Sequence, residues 1–158
     1  MVLEHKAAVT KMEEHPDLKD HLEFILSVTD RLARNSFLLK GWSVTLVAAS
    51  LLLVARGAPV QLAAVALLPS VSFWFLDAYY LRQERMYRCL YNDVRKQGTA
   101  NADRFTLNAR PFAGAVQSWL RTLVTPTVGW FHGGINVVVI VSLFLLSLRG
   151  CHGSPSLF

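Results

Sequence analysis

The 158-residue chain holds two cysteines, Cys89 and Cys151, and neither belongs to a Cys-x-x-Cys pair or to a Cys/His spacing that would ligate a metal. Its five histidines are scattered singly. No glycine-rich loop is present to cradle a phosphate, and no serine stands in a nucleophile elbow. The carboxylates lie among basic residues on polar faces rather than as a pair set for acid–base work. These absences remove the common routes to catalysis, so no enzymatic activity, cofactor or metal is expected. The chain also lacks a signal peptide: its first residues, MVLEHKAAVTKMEEHPDLKDHLEF, carry both signs of charge and no apolar core followed by small residues. The first apolar segment must therefore serve as the insertion signal.

What the chain has is apolar length. It is 53% hydrophobic with a mean hydropathy of +0.34, high for a soluble domain of this size. Phe37 to Leu81 reads as two arms of about 20 mostly apolar residues, the length at which a helix crosses a hydrocarbon core of roughly 30 Å. Only Arg56-Gly57-Ala58-Pro59 separates them, a helix stop followed by a residue that presets φ for a new helical start, so the arms run antiparallel. Val128 to Leu148 is a third run of similar length, with His132 its only titratable residue, bounded by Pro126 and Arg149.

Outside these runs the period changes. Leu18, Leu22, Ile25, Val28 and Leu32 recur every three or four residues and Leu39 follows two turns on, with Asp17, Lys19, Asp20, Glu23, Asp30 and Arg31 on other faces, which predicts one helix from Pro16 through Ala55. Tyr80, Tyr87, Leu90, Tyr91 and Val94 continue a stripe beyond the second arm, so the two helices zip on past the lipid as a coiled-coil-like stalk. Gln97 to Pro111 is a loop with one short strand at Arg104 to Asn108. Phe112 to Thr125 reads as a helix lying in the membrane interface or covering the stalk. The expected fold is an all-α membrane protein: an antiparallel transmembrane hairpin extended by a cytoplasmic two-helix stalk, plus an interfacial helix and a third transmembrane helix. Its segments are a tail and stalk helix over 1–36, the hairpin over 37–81 and the returning stalk over 82–97. A loop and interfacial helix follow over 98–125, then the third span over 126–149 and a short tail over 150–158.

Two charges stand inside the apolar arms. Counted from the turn between Ala58 and Pro59, Lys40 lies about as many residues before it as Asp77 lies after it, so an antiparallel hairpin brings them to one depth as an intramembrane ion pair. In the third run His132 and Asn136, four apart, share a helix face, and Gly133-Gly134 would let a second helix approach closely; all four are candidates for helix contact or for lining a pore. Trp42, Trp74, Trp119 and Trp130 are candidate anchors at headgroup depth.

Of the 16 lysines and arginines, only Arg56 and Arg149 fall on the side of the hairpin turn, which orients the stalk, loop and interfacial helix to the cytoplasm and the C-terminus outside. The net charge of +5 then reflects insertion polarity and anionic lipid, and no nucleic-acid partner is expected.

Two stretches, NSFLLKGW and FWFLDAYYLRQERMYRCLYNDVRKQ, resemble a set of small bacterial inner-membrane proteins through Lys-Gly-Trp at the entrance of the first span and Asp-Ala-Tyr-Tyr-Leu-Arg-Gln-Glu-Arg at the exit of the second. The resemblance covers roughly Leu22 to Gln97. In layout the chain is also similar to the two-span SLATT-type membrane effectors of bacterial conflict systems, which implies oligomers that perforate the inner membrane when a nucleotide-sensing partner signals. The third span departs from that layout, and no ligand or catalytic residue carries over. The expected function is an oligomeric inner-membrane effector or pore-former triggered through its cytoplasmic stalk; the alternative is a membrane scaffold or regulatory subunit anchoring a soluble partner. The expected partners are the lipid bilayer, further copies of the chain and a cytoplasmic protein.

Overall fold

The computed structural model describes residues 16–97 and 105–152, the last four by their backbone alone. The fold is all-α: α1 is Pro16–Ala55, α2 Gln61–Val65, α3 Leu67–Gln97, α4 Trp119–Leu123 and α5 Phe131–His152. Three segments, Pro16–Ala55, Gln61–Gln97 and Pro126–Leu148, are long and apolar enough to cross a membrane, so the chain is a candidate membrane protein with three spans. The expected tail before Pro16, the loop at 98–104 and the end of the chain beyond His152 lie outside the described residues.

Helix α1 ends by a backbone device that sequence alone marks with one glycine. Gly57 takes φ +100°, its N–H donates to the Val54 carbonyl at 3.0 Å, and the Ala58 N–H reaches the Leu53 carbonyl at 3.0 Å. This is a Schellman motif, which satisfies carbonyls that the helix end leaves open. The second arm, read from sequence as unbroken, is interrupted at Ala66 between α2 and α3. Pro69 accounts for the break: it has no N–H to give the carbonyl four residues earlier, and it is tolerated only because it falls in the first turn of α3.

The described residues divide into two compact units. The first takes residues 16–34 of α1, residues 80–97 of α3 and the segment 105–118. Its core is Leu18, Leu22 and Ile25 from α1 against Met86, Leu90 and Val94 from α3, closed by Ala109. Leu18, Leu22 and Ile25 belong to the first predicted stripe and Leu90 and Val94 to the second, with Tyr87 and Tyr91 partly buried beside them, whereas Met86 belongs to neither. Leu107, Phe112, Ala113 and Val116 pack over them as a cover. His21 in this unit is buried, with its Nε2 2.9 Å from the Thr106 carbonyl and its ring 5.5 Å from that of Phe105, which sits at φ +65°.

Two expectations fail here. Residues 105–108 are irregular, so no strand forms among the described part of Arg104 to Asn108. The helix expected over Phe112 to Thr125 is instead a 3₁₀ turn, Arg110–Gly114, an irregular stretch and then the five residues of α4. Two carbonyls it would have used inside a helix are taken by one side chain: Arg82 donates from Nη2 to the Ala113 carbonyl at 3.3 Å and from Nε to the Gln117 carbonyl at 3.2 Å, while Arg85 holds the Gln117 side chain through Oε1 at 3.1 Å. Gly114 and Pro111 weaken the helical alternative further.

The second unit takes residues 35–79 and 119–152. Val47 of α1, Ala66 at the α2–α3 break and Val139 of α5 form its apolar centre, with Leu51, Leu67, Ile135 and Leu143 around them. Helix α5 is entered through a π-helical turn, Pro126–Trp130. There Gly129 is favoured by close approach, since a Cβ at that position would lie 3.2 Å from the Val124 backbone.

Candidate functional site

The second unit buries a cluster of polar side chains supplied by all three of its long helices. Ser36 and Lys40 are one turn apart on α1, Asp77 projects from α3 and His132 from the first turn of α5. Asp77 and His132 are both fully buried. Lys40 Nζ donates to Asp77 Oδ2 at 2.5 Å and to Ser36 Oγ at 3.0 Å, the Ser36 hydroxyl donates to Asp77 Oδ1, and His132 Nε2 lies 3.1 Å from Asp77 Oδ2. Both carboxylate oxygens are thus engaged, and the ammonium keeps partial access to solvent through its long stem. Nε2 faces a carboxylate oxygen, so an N–H at that ring atom donates to Asp77 Oδ2.

The aromatic surroundings hold the imidazole in that plane. The Trp74 ring stacks on His132 with centroids 6.4 Å apart and an interplanar angle of 13°, and Phe131 meets it edge-on at 5.2 Å. Trp74 Nε1 donates to the Leu123 carbonyl at 3.0 Å, so α4 is tied to the same helix that carries Asp77. Trp119 adds a second tie, donating to the Phe75 carbonyl at 3.3 Å with its ring 5.5 Å from that of Phe75. Trp42 and Trp130 are open, at 57% and 82% exposure. Of the four tryptophans expected to anchor the membrane surface, two therefore spend their N–H groups inside the chain and two face outward.

Asn136 donates from Nδ2 to the His132 carbonyl at 2.8 Å. Its Oδ1, His132 Nδ1 and Ser70 Oγ are buried without a hydrogen-bond partner among the described residues. Each such atom costs about 1–3 kcal/mol in an apolar setting, so the unit retains polar groups that packing alone would not select. Comparison with known protein families, curated proteins and solved structures finds no match for this chain.

The four residues grouped on α5 by sequence separate in space. His132 and Asn136 turn inward, whereas Gly133 and Gly134 have open space where a Cβ would stand. With Gly129, Val137, Trp74, Val124 and Trp130 the two glycines line an outward apolar groove. The helical angle explains the split: positions one and two after His132 are rotated by about 100° and 200° from it, while the fourth returns to its face. Ser36 was the residue that sequence reasoning passed over, although its position four before Lys40 was the available signal. Ser70 lies two turns from Asp77 and carried no signal beyond that spacing. No group of three or more histidine, cysteine or acidic side chains is placed to hold a metal among the described residues.

Proposed function

We propose that the protein is an oligomeric effector of the bacterial inner membrane that opens a pore by turning its buried polar side chains toward a shared axis. One observation carries this reading: Ser36, Lys40, Asp77, His132 and Asn136 face inward from three apolar helices whose outer faces present Leu, Val, Ile, Phe and Trp. Three spans in one chain enclose no transport path, so a path requires several copies. The stalk unit lies in the cytoplasm and receives the trigger, in keeping with the resemblance to SLATT-type effectors. A network that leaves buried acceptors unpaired in the resting chain lowers the cost of the rearrangement, because those atoms gain water when the lining opens.

The test is leakage from vesicles. Purified full-length protein reconstituted with a self-quenching dye should hold it, whereas Asp77→Asn, compared at equal amounts of inserted protein, should release it constitutively. Expression of the variant should likewise depolarise cells. Tight vesicles and unchanged membrane potential for an inserted Asp77→Asn protein would remove the pore reading. A second reading is favoured by the self-contained core of the stalk unit, Leu18 to Val94, which gives a soluble partner a folded surface to grip. A stoichiometric protein recovered in mild detergent, with the membrane remaining tight, would select that scaffold role.

A further inference from the structure

A groove of about 450 Å³ opens in the first unit between α3 and the segment that covers it. We infer that it is a binding site for a phosphate-bearing anion. Five of its lining side chains carry hydrogen-bond donors, Arg82, Gln83, Tyr87, Asn108 and Arg110, and Met86 and Leu107 give it an apolar wall. None of its lining residues is a carboxylate. That combination fits an anion with an apolar attachment and disfavours a cation.

The two arginines differ in how they are held. Arg82 is half-buried and fixed by its bonds to the Ala113 and Gln117 carbonyls, which engage Nε and Nη2 and leave Nη1 without an acceptor among the described residues. Its orientation is set before any ligand arrives, so little side-chain freedom is lost on binding. Arg110 is exposed, and only its backbone N–H is engaged, by Asn108 Oδ1 at 3.1 Å. Its guanidinium meets no acceptor among the described residues and is the mobile half of a clamp. Planar guanidinium groups suit phosphate oxygens better than any other side chain does. Arg82 directly follows Leu81, where the apolar arm ends, so the same phosphate chemistry has two sources: the headgroup of an anionic phospholipid, or a soluble phosphate.

The experiment uses the full chain in mild neutral detergent. Retention of phosphatidylglycerol against phosphatidylcholine is read by native mass spectrometry, and binding of inorganic phosphate and pyrophosphate by calorimetry. Arg110→Gln is the informative variant because that guanidinium holds no part of the fold. Arg95→Gln, exposed near the end of α3 and outside the groove, controls for general charge. Saturable retention of phosphatidylglycerol that falls about tenfold in Arg110→Gln, with Arg110→Lys intermediate and Arg95→Gln unchanged, supports a lipid-headgroup site. The same pattern with phosphate or pyrophosphate supports a soluble ligand. No saturable binding of any probe, or equal losses in Arg110→Gln and Arg95→Gln, overturns the proposal.

Discussion

Asp77 receives bonds from Ser36, Lys40 and His132, and it is the shortest charged side chain in the apolar arms. An unpaired charge at the centre of a span costs about 2.5–3.5 kcal/mol, and Asp77 lacks the stem by which Lys40 reaches water. Removing one partner from a buried pair harms more than the pair contributes, because the remaining charge is stranded. Lys40→Met and Asp77→Asn are each therefore expected to lower the inserted protein or its melting temperature in detergent. Ser36→Ala should cost less, about 1 kcal/mol, since it removes a neutral donor from a carboxylate that keeps two others. The exchange Lys40→Asp with Asp77→Lys restores the attraction but sets a lysine against His132, so it should recover only part of the loss, read as a non-additive double-mutant cycle. A loss in the exchange equal to the sum of the losses in Lys40→Asp alone and Asp77→Lys alone would mean that the two charges contribute independently.

At the level of the helices, what was legible from sequence and what was not divide along physical lines. The period of Leu18, Leu22 and Ile25 marks the buried face of α1, because that face is fixed by helical geometry whatever packs on it. The equal counts from the turn likewise bring Lys40 to Asp77. The third member of the cluster, His132, comes from a helix whose distance along the chain gives no register, and only the structure joins it. The cover segment failed for a related reason: Phe112, Val116, Trp119 and Leu123 repeat at helical spacing, yet Arg82 from another helix captures the Ala113 and Gln117 backbone carbonyls, an arrangement that no local pattern announces.

The glycines of α5 yield the prediction proper to this scale. Gly133→Leu and Gly134→Leu fill open space and should leave the melting temperature of the isolated chain close to wild type. They should nonetheless reduce the crosslinked oligomer well below that of Val138→Leu, an exposed position on the same helix. Gly129→Ala should behave oppositely and destabilise the chain itself, because its Cβ meets the Val124 backbone. Oligomer yields unaffected by either leucine variant would place the contact between copies elsewhere.

For the whole molecule, the proposed pore requires a fixed arrangement across the bilayer, and the distribution of basic residues supplies its direction. Thirteen of the 16 lysines and arginines precede the hairpin or lie between its second arm and the third span, Lys40 stands at the entrance of the first arm, and residues so placed resist translocation. In that proposed orientation the two cysteines fall on opposite faces: Cys89 is on α3, eight residues beyond Leu81, and Cys151 follows Arg149 at the end of the third candidate span. A membrane-impermeant thiol reagent applied to intact spheroplasts should label Cys151 and spare Cys89, and permeabilisation should bring Cys89 into reach, since it is half-buried rather than enclosed. Labelling of both from one side would mean that Pro126–Leu148 does not cross. His132 would then enter the cluster from a helix that returns to the side it left. The Asp77 network would become a device for holding a re-entrant segment in place, and a pore lined by three spans would no longer be available to the chain.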